Sequence, residues 1–329
     1  MSSRTLIFLF LHVWLVPSCA PADSGREVKN PRPPILGYVL DGTLRQERYL
    51  KGVLPRLDRL IITGHTLDAR GRLRSRIRSR RLLALARLYG KPVQPLVNLR
   101  SVRDGKRLLK NSAARRRAVQ SLLALARRSE FSGIHLDLEY LPPSYAPEYA
   151  SLLRELRATL RKRAPGKQLT AAIFPPLEFP GKWSGFHDLR LLGPHLDEIV
   201  LMCYDYRGPY TGPGPVTSLG WTRRNLEAAR KLFPAQRIWL GVPAYGYVWR
   251  GKRGGGYRVR AVSARRGTRE AARLGGTRHS SGTIRYVLRG GRGVAYFADR
   301  RTRLEMERLA RKFKLRGVAI WRLGFEKEL

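Results

Sequence analysis

Short apolar runs alternate with amphipathic segments along most of the chain. Eight runs have the length and composition of buried strands: Ile35–Leu40, Arg59–Thr63, Pro92–Leu99, Gly133–Tyr140, Leu169–Phe174, Glu198–Tyr206, Arg237–Tyr245 and Val318–Leu323. Apolar residues recur at helical spacing in five segments between them: Arg80–Tyr89, Ala113–Arg128, Ala146–Arg163, Thr222–Phe233 and Arg303–Phe313. Eight strands joined mainly by helices predict an α/β protein with a (β/α)₈ TIM barrel, and a doubly wound open sheet is the alternative.

The region between the last two predicted strands differs from the rest of the chain. Residues 249–300 are rich in Gly and Arg and contain two strand-like runs, Thr283–Leu288 and Gly293–Phe297. The pattern predicts a small insertion beside the barrel mouth. Its Gly254-Gly255-Gly256 segment lacks the Lys-Ser/Thr that follows a phosphate loop, so we interpret it as a flexible linker.

The N-terminal residues have the features of an export signal. Arg4 precedes the apolar run Leu6–Val16, which is too short to span a bilayer but suits the core of a signal peptide. The segment that ends at Cys19 also resembles a bacterial lipobox, in which this cysteine would be lipidated. Ordinary cleavage after Ala20 or Ala22 is the alternative.

These features predict three regions: a signal peptide over residues 1–22, a tether rich in Pro and charge over 23–34, and the barrel over 35–329. The second cysteine of the chain, Cys203, should face away from its neighbour Tyr204 as a buried thiol. The mature protein therefore has no internal disulfide under either reading of the signal.

The chain is strongly basic. It carries 65 Lys and Arg against 24 Asp and Glu, a formal net charge of +41. Such a field attracts polyanions, including nucleic acid, phosphate-rich envelope polymers and acidic membrane surfaces. A genome that favours arginine codons would give the same composition. The even spread of charge and the export signal both argue against a nucleic-acid partner.

One predicted strand carries ionisable residues on a single face. Because side chains alternate along a strand, three residues point to the opposite side from their apolar neighbours: His135, Asp137 and Glu139. In a barrel this set would point inward. Glu139 then lies near the C-terminal end of the strand, where barrel enzymes place their catalytic groups.

Two carboxylates at this spacing are about 7 Å apart at their roots. If both are buried, each disfavours ionisation of the other, and one can stay protonated as a general acid. His135 lies two residues deeper, and we expect it to hydrogen-bond Asp137 and orient it. The alternative is a solvated set of charges at a strand end.

This segment resembles the active-site strand of glycoside hydrolase family 18, whose pattern is D-G-x-D-x-D-x-E. Gly133, Asp137 and Glu139 match, whereas Ser132 and His135 stand where the first two aspartates usually occur. Four more segments resemble family motifs in the expected order: Gly37-Tyr38, Met202–Tyr206, Leu240–Gly246 and Gly317–Trp321. The Tyr296–Asp299 segment and the insertion resemble the branch of bacterial spore-cortex and peptidoglycan hydrolases.

The resemblance implies catalytic roles for three residues. Glu139 would protonate the leaving glycosidic oxygen while the substrate's acetamide attacks the anomeric carbon, with net retention. Asp137 would orient this acetamide and stabilise its positive charge, and Tyr204 would donate a hydrogen bond to its oxygen. No metal or cofactor is required. Four histidines show no metal-ligand spacing and are interpreted as loop or surface residues: His65, His187, His195 and His279.

The other matching residues imply a sugar-binding site. Asp205 and Tyr245 would line it, and Trp321 would stack on the sugar ring. Met202 is either a contact of this site or a filler of the barrel core. Tyr38 would lie in the core or directly behind the sugar contacts.

The sequence therefore predicts an exported glycosidase, periplasmic, attached to the cell envelope as a lipoprotein, or secreted. Its substrate would be a β-linked glycan containing N-acetylglucosamine, and chitin, peptidoglycan and the N-glycan core all fit. A first alternative is a lectin-like protein that binds glycans without cleaving them. A second is an envelope protein whose basic surface binds anionic polymers, with membrane contact only through a lipid on Cys19.

Overall fold

The computed structural model describes residues 32–40, 44–75 and 80–326. The predicted signal peptide, Cys19 and the tether up to residue 31 lie outside these ranges. The end of the predicted tether belongs to the barrel, because the Pro34 carbonyl accepts a hydrogen bond from the Val318 N–H at 2.9 Å. No helix in the described ranges has the length and apolarity needed to cross a membrane.

The described residues form fourteen strands and ten helices. The strands are β1 Ile35–Val39, β2 Arg59–Leu67, β3 Leu73–Ser75, β4 Val93–Leu99, β5 Gly133–Asp137, β6 Gln168–Ile173, β7 Glu198–Leu201, β8 Ile238–Pro243, β9 Tyr245–Gly251, β10 Tyr257–Ser263, β11 Thr277–Arg278, β12 Ile284–Val287, β13 Gly293–Phe297 and β14 Gly317–Trp321. The helices are α1 Leu44–Val53, α2 Arg80–Leu88, α3 Val102–Lys110, α4 Ser112–Ala126, α5 Ala146–Arg163, α6 Gly181–Ser184, α7 Leu189–Leu192, α8 Leu219–Ala229, α9 Ala264–Arg273 and α10 Arg300–Lys312.

Eight parallel strands close into a barrel. Their order is β1-β2-β4-β5-β6-β7-β8-β14, and β1 pairs with both β2 and β14. This closure confirms the TIM barrel and excludes the open doubly wound sheet. The alternation along β5 positions its side chains as expected, because Ile134, Leu136 and the following Leu138 are fully buried in the apolar cluster that includes helix residues.

The insertion between the seventh and eighth barrel strands is confirmed. It is a separate five-stranded antiparallel sheet with the order β10-β9-β13-β12-β11, accompanied by helix α9. Its first strand starts at Tyr245, two residues after barrel strand β8 ends at Pro243. The interpretation of Gly254–Gly256 as a linker is wrong, because these residues lie in the turn that joins the β9–β10 hairpin.

Two barrel strands end earlier than the sequence predicts. Strand β5 stops at Asp137 rather than at Tyr140, and β7 stops at Leu201 rather than at Tyr206. The backbone beyond each end enters the left-handed region, with φ of 62° at Tyr140 and 57° at Asp205. A strand cannot continue through such a residue, and non-glycine residues adopt this conformation only at a cost.

Candidate active site

A cavity of about 270 Å³ opens at the C-terminal ends of the barrel strands. It is lined by Tyr38, Asn98, Asp137, Glu139, Tyr140, Ala172, Phe174, Phe179, Met202, Tyr204, Asp205 and Trp321. Seven of these residues are ones that the sequence motifs pointed to. The eighth, Tyr245, does not line the cavity but contacts one of its carboxylates. Polar groups converge here within an otherwise aromatic wall, which is typical of a ligand site.

Asp137 and Glu139 are buried at the base of this cavity, and their side chains hydrogen-bond each other. Burial raises the pKa of Asp137 to about 6. Burial, followed by the negative charge of Asp137, raises the pKa of Glu139 well above its ordinary value, and the more distant charge of Asp205 adds to this. Glu139 is therefore the carboxyl that holds the proton, and it donates this proton to its neighbour.

Asp205, a third carboxyl that lines the cavity, is held by two tyrosines. Its Oδ1 accepts the hydroxyl of Tyr245 at 2.5 Å and that of Tyr247 at 2.9 Å. Burial raises the pKa of Asp205, and both hydrogen bonds act in the opposite direction. The negative charge of Asp205 also acts on the acidic pair, because it helps to raise the pKa of Glu139.

His135 does not hydrogen-bond Asp137, so this expectation is wrong. Its Nε2 lies 2.9 Å from the Tyr38 hydroxyl and its Nδ1 lies 2.8 Å from Thr170 Oγ1. The Thr170 hydroxyl donates to Gln94 Oε1 at 2.9 Å, so it accepts from Nδ1–H and leaves Nε2 to accept from tyrosine. Burial lowers the pKa of His135 to about 3, so the ring is neutral.

Two histidines that the sequence assigned to loops or the surface are buried. His187 joins the ends of two barrel strands, because its Nδ1 accepts the Phe174 N–H at 2.9 Å and its Nε2 donates to the Leu138 carbonyl at 2.9 Å. Burial lowers the pKa of His187 to about 4. His65 is only 1% exposed and packs against the Phe131 ring.

The aromatic side of the cavity is formed by residues after β7 and at the end of β14. Tyr204 and Met202 are buried in one cluster, while Cys203 between them is buried in another, as alternation predicts. Trp321 is partly exposed and its ring meets that of Tyr38 edge-on, with centroids 5.2 Å apart. Trp321 therefore leaves part of its ring accessible where it lines the cavity.

Three polar residues of the site are not marked by the sequence motifs. Tyr140 follows Glu139 and donates a hydrogen bond to it. Tyr247 follows Tyr245 by two residues, so strand alternation places both on one face. This alternation could have identified Tyr247 as a residue of the site. Asn98 interrupts an apolar run at the end of β4, and its buried Oδ1 has no hydrogen-bond partner within the described residues.

Known proteins resemble this chain in sequence and in fold. The model of the family described as glycosyl hydrolases family 18 matches residues 105–326. The cortical fragment-lytic enzyme of Bacillus subtilis (strain 168) is 31% identical over 229 residues, which are 67% of this chain and 53% of that protein. The chain spans between 53% and 66% of the length of three curated relatives from this organism.

Solved structures share the barrel. The spore cortex-lytic enzyme of Bacillus megaterium QM B1551 superposes with a TM-score of 0.77 at 25% identity, covering 90% of this chain and 72% of that one. A chitinase from Chromobacterium violaceum ATCC 12472 superposes with a TM-score of 0.79 at 21% identity, covering 90% and 95%. The second likeness concerns the fold alone.

Proposed function

Since this chain belongs to glycosyl hydrolases family 18, we propose that it hydrolyses β-linked glycans containing N-acetylglucosamine, with peptidoglycan or a chitin-like polymer as substrate. One observation carries the proposal: Glu139, whose pKa is raised by burial and by the charge of Asp137, is hydrogen-bonded to Asp137 at the base of an open cavity. A carboxyl that stays protonated near neutral pH is what a general acid requires. The relationship to spore cortex-lytic enzymes supports a cell-wall glycan.

In the proposed reaction Glu139 transfers its proton to the leaving glycosidic oxygen as the bond from that oxygen to the anomeric carbon breaks. The carbonyl oxygen of the substrate's own acetamide forms the new bond to this carbon, giving an oxazolinium ion. Water then attacks the same carbon, the bond from this carbon to the acetamide oxygen breaks, and the proton that the water loses passes to the Glu139 carboxylate. Two displacements give net retention of configuration.

The neighbouring polar groups support the acetamide. Asp137, whose pKa of about 6 leaves it largely ionised at neutral pH once Glu139 holds the shared proton, would stabilise the positive charge that develops on the acetamide nitrogen. Tyr204 lines the cavity and would donate its hydroxyl to the acetamide oxygen. Asp205, fixed by two tyrosines, would bind a sugar hydroxyl, and Trp321 would stack on the sugar ring.

The proposal includes export. The N-terminal signal directs the chain to the periplasm, the cell envelope or the medium, and lipidation at Cys19 would anchor it. Mass measurement of the mature N-terminus, for the native chain and for Cys19→Ala, separates lipidation from ordinary cleavage. An unprocessed N-terminus in an exporting bacterial host would contradict export.

A second candidate function is glycan binding without hydrolysis. The observation that favours it is His135, which stands where the family pattern has an aspartate and forms a closed hydrogen-bond network of its own. Aromatic and polar groups around the cavity would still bind a sugar. Such a protein would leave its glycan intact.

The test is hydrolysis by the purified mature protein beside two single variants. Glu139→Gln removes the proton donor, and Glu227→Gln is the matched control on an exposed part of α8. Chitooligosaccharides and purified peptidoglycan are incubated with each protein, and products are read by mass spectrometry. We expect the control to match the native protein and Glu139→Gln to lose a factor of about 10²–10⁴ in rate.

Each outcome has one meaning. Products that disappear in Glu139→Gln support the mechanism, and their reducing ends identify the bond that is cleaved. Bound but intact substrate with every protein supports the glycan-binding alternative. Undiminished cleavage by Glu139→Gln would mean that another residue supplies the proton.

A further inference from the structure

A second concavity lies beside the catalytic cavity at the barrel mouth. We call it the arginine pocket; it encloses about 300 Å³ and is lined by Asp68, Ala69, Arg70, Arg72, Arg74, Arg100, Asp104 and Arg107. Arg100 directly follows strand β4, two residues after Asn98, which lines the catalytic cavity. The Cα atoms of these two residues are therefore at most about 7 Å apart. Residues two positions apart at the end of β4 therefore line the two concavities.

The turn that forms one side of the arginine pocket is held in place. Asp68 Oδ1 accepts the backbone N–H of Arg70 at 2.9 Å and that of Arg72 at 3.0 Å. Gly71 has φ of 74°, and a Cβ there would lie 2.1 Å from a backbone oxygen of α4. The Ser121 hydroxyl of α4 also donates to the Gly71 carbonyl at 3.1 Å. The backbone of this turn is therefore preorganised, which reduces the entropy lost on binding a ligand.

The charges in the arginine pocket are unbalanced. Five arginines face two aspartates, and both aspartates already have partners. Asp104 accepts two hydrogen bonds from Arg100, at 2.6 and 3.2 Å, and Asp68 caps the turn. In the part of the chain that the structure describes, four of the pocket's guanidinium groups form no hydrogen bond or ion pair: Arg70, Arg72, Arg74 and Arg107. Exposed guanidinium groups around a concavity favour a planar anion such as a carboxylate.

We propose that the arginine pocket binds carboxylate groups carried by the glycan whose backbone occupies the catalytic cavity. This inference rests on the proposed function and narrows its substrate to an anionic glycan, as opposed to a neutral one. A chain that extends from the cavity across the end of β4 passes the arginines, and an acidic substituent on it would meet them. A phosphate-bearing glycan presents related chemistry and is distinguished in the test.

The experiment measures binding in the Glu139→Gln background, so that substrate stays intact. Probes of equal chain length are a neutral chitooligosaccharide, a peptidoglycan strand with acidic peptide stems, and a phosphorylated chitooligosaccharide. Arg70→Ala with Arg107→Ala removes two unpaired guanidinium groups. Arg273→Ala with Arg289→Ala is the matched control, because these exposed residues line another concavity with five arginines, in the insertion.

We expect the double variant at the arginine pocket to weaken binding of the peptide-bearing strand about tenfold or more at low salt, with the neutral probe unchanged. The control pair should change neither affinity. Equal losses with both pairs would show a non-specific effect of net charge and overturn the proposal, as would no loss with either. A loss confined to the phosphorylated probe would assign the pocket to phosphate instead of carboxylate.

Failure of the proposed function is seen separately. If the native protein cleaves no glycan, but the double variant at the arginine pocket still weakens binding of the acidic probe and not of the neutral one, the proposal for the pocket is supported and the proposal of hydrolysis is wrong. If cleavage is normal and the arginine pair has no effect, only the inference about the pocket falls.

Discussion

Two of the buried polar layers in the barrel interior respond to protons in opposite ways. The upper layer consists of Asp137, Glu139 and Asp205, and burial raises the pKa of each. The lower layer is a neutral network whose only titratable imidazole, His135, lies two residues deeper along β5, where burial lowers its pKa to about 3. Burial penalises the charged form in both layers. A carboxyl is charged when it is deprotonated and an imidazole is charged when it is protonated, so burial raises the pKa of the first and lowers that of the second.

This difference sets how stability depends on pH. A carboxyl with a raised pKa stabilises the fold at low pH, and this contribution is lost as pH rises through the folded-state value, about 6 for Asp137. A histidine with a lowered pKa acts the other way, because only the unfolded chain binds a proton between its ordinary value of 6.5 and about 3. The upper layer thus contributes more to the stability of the fold at acidic pH, and the lower layer contributes more at neutral pH.

The largest effect is expected from breaking the upper layer. Asp137→Asn removes the charge that raises the pKa of Glu139, so that pKa should fall and the alkaline limb of the pH–rate profile should move to lower pH. We expect kcat/KM on glycan to drop about 10²–10³-fold, because a preorganised charge is lost. The free energy of unfolding at pH 7 should rise by up to about 3 kcal/mol, since a costly buried charge has been removed. Rate profiles and urea unfolding measure the two effects, and a fall in stability would contradict the argument.

Breaking the lower layer should change stability more than chemistry. His135→Gln loses hydrogen bonds to Tyr38 and Thr170, so the free energy of unfolding at pH 7 should fall by about 1–3 kcal/mol. The pH–rate profile above pH 5 should keep its shape, because the native ring is neutral there. As pH falls below 6.5, the variant should lose less free energy of unfolding than the native protein, by roughly 1.4 kcal/mol per pH unit. His279→Gln, outside the barrel, serves as the control, and a rate limb that vanishes with His135 would show that this ring titrates during turnover.

The smallest effect should come from loosening Asp205. Tyr247→Phe removes one of its two hydrogen bonds, so the pKa of Asp205 should rise further while Tyr245 still holds it. We expect kcat/KM to fall severalfold, which corresponds to the net free energy of about one hydrogen bond. The loss should grow toward lower pH, because more of Asp205 is then protonated. Tyr257→Phe, on an exposed strand of the insertion, should behave as the native protein. If the Tyr247→Phe enzyme has the same kcat/KM as the native protein at every pH, Tyr245 alone is enough to hold Asp205.

The sequence predicts the barrel well because each barrel strand is a local pattern. The apolar runs, and the alternation that turns Asp137 inward, depend only on neighbouring residues. The strand ends were missed because left-handed backbone at Tyr140 and Asp205 leaves no mark in the hydrophobic pattern. Seven of the residues that the motifs pointed to line one cavity and Tyr245 contacts a carboxyl of it, while their chemical roles remain predictions.

The partners of buried polar groups lie beyond what spacing can reveal. His135 meets Tyr38 from β1 and Thr170 from β6, residues 97 and 35 positions away. His187 reaches the backbone of two strands from a connecting segment. Which atoms face each other depends on the stagger of the closed barrel, and no local pattern encodes that stagger.

The insertion differs from the barrel in having open edges. A closed barrel has no free strand, whereas β10 leaves one row of backbone groups unpaired at the side of the small sheet. This strand carries Arg258 and Arg260, both exposed. Two copies approaching edge to edge would bring these cations together, and their repulsion opposes strand addition between molecules. We therefore expect Arg258 and Arg260 to disfavour pairing of β10 with the same strand of a second copy.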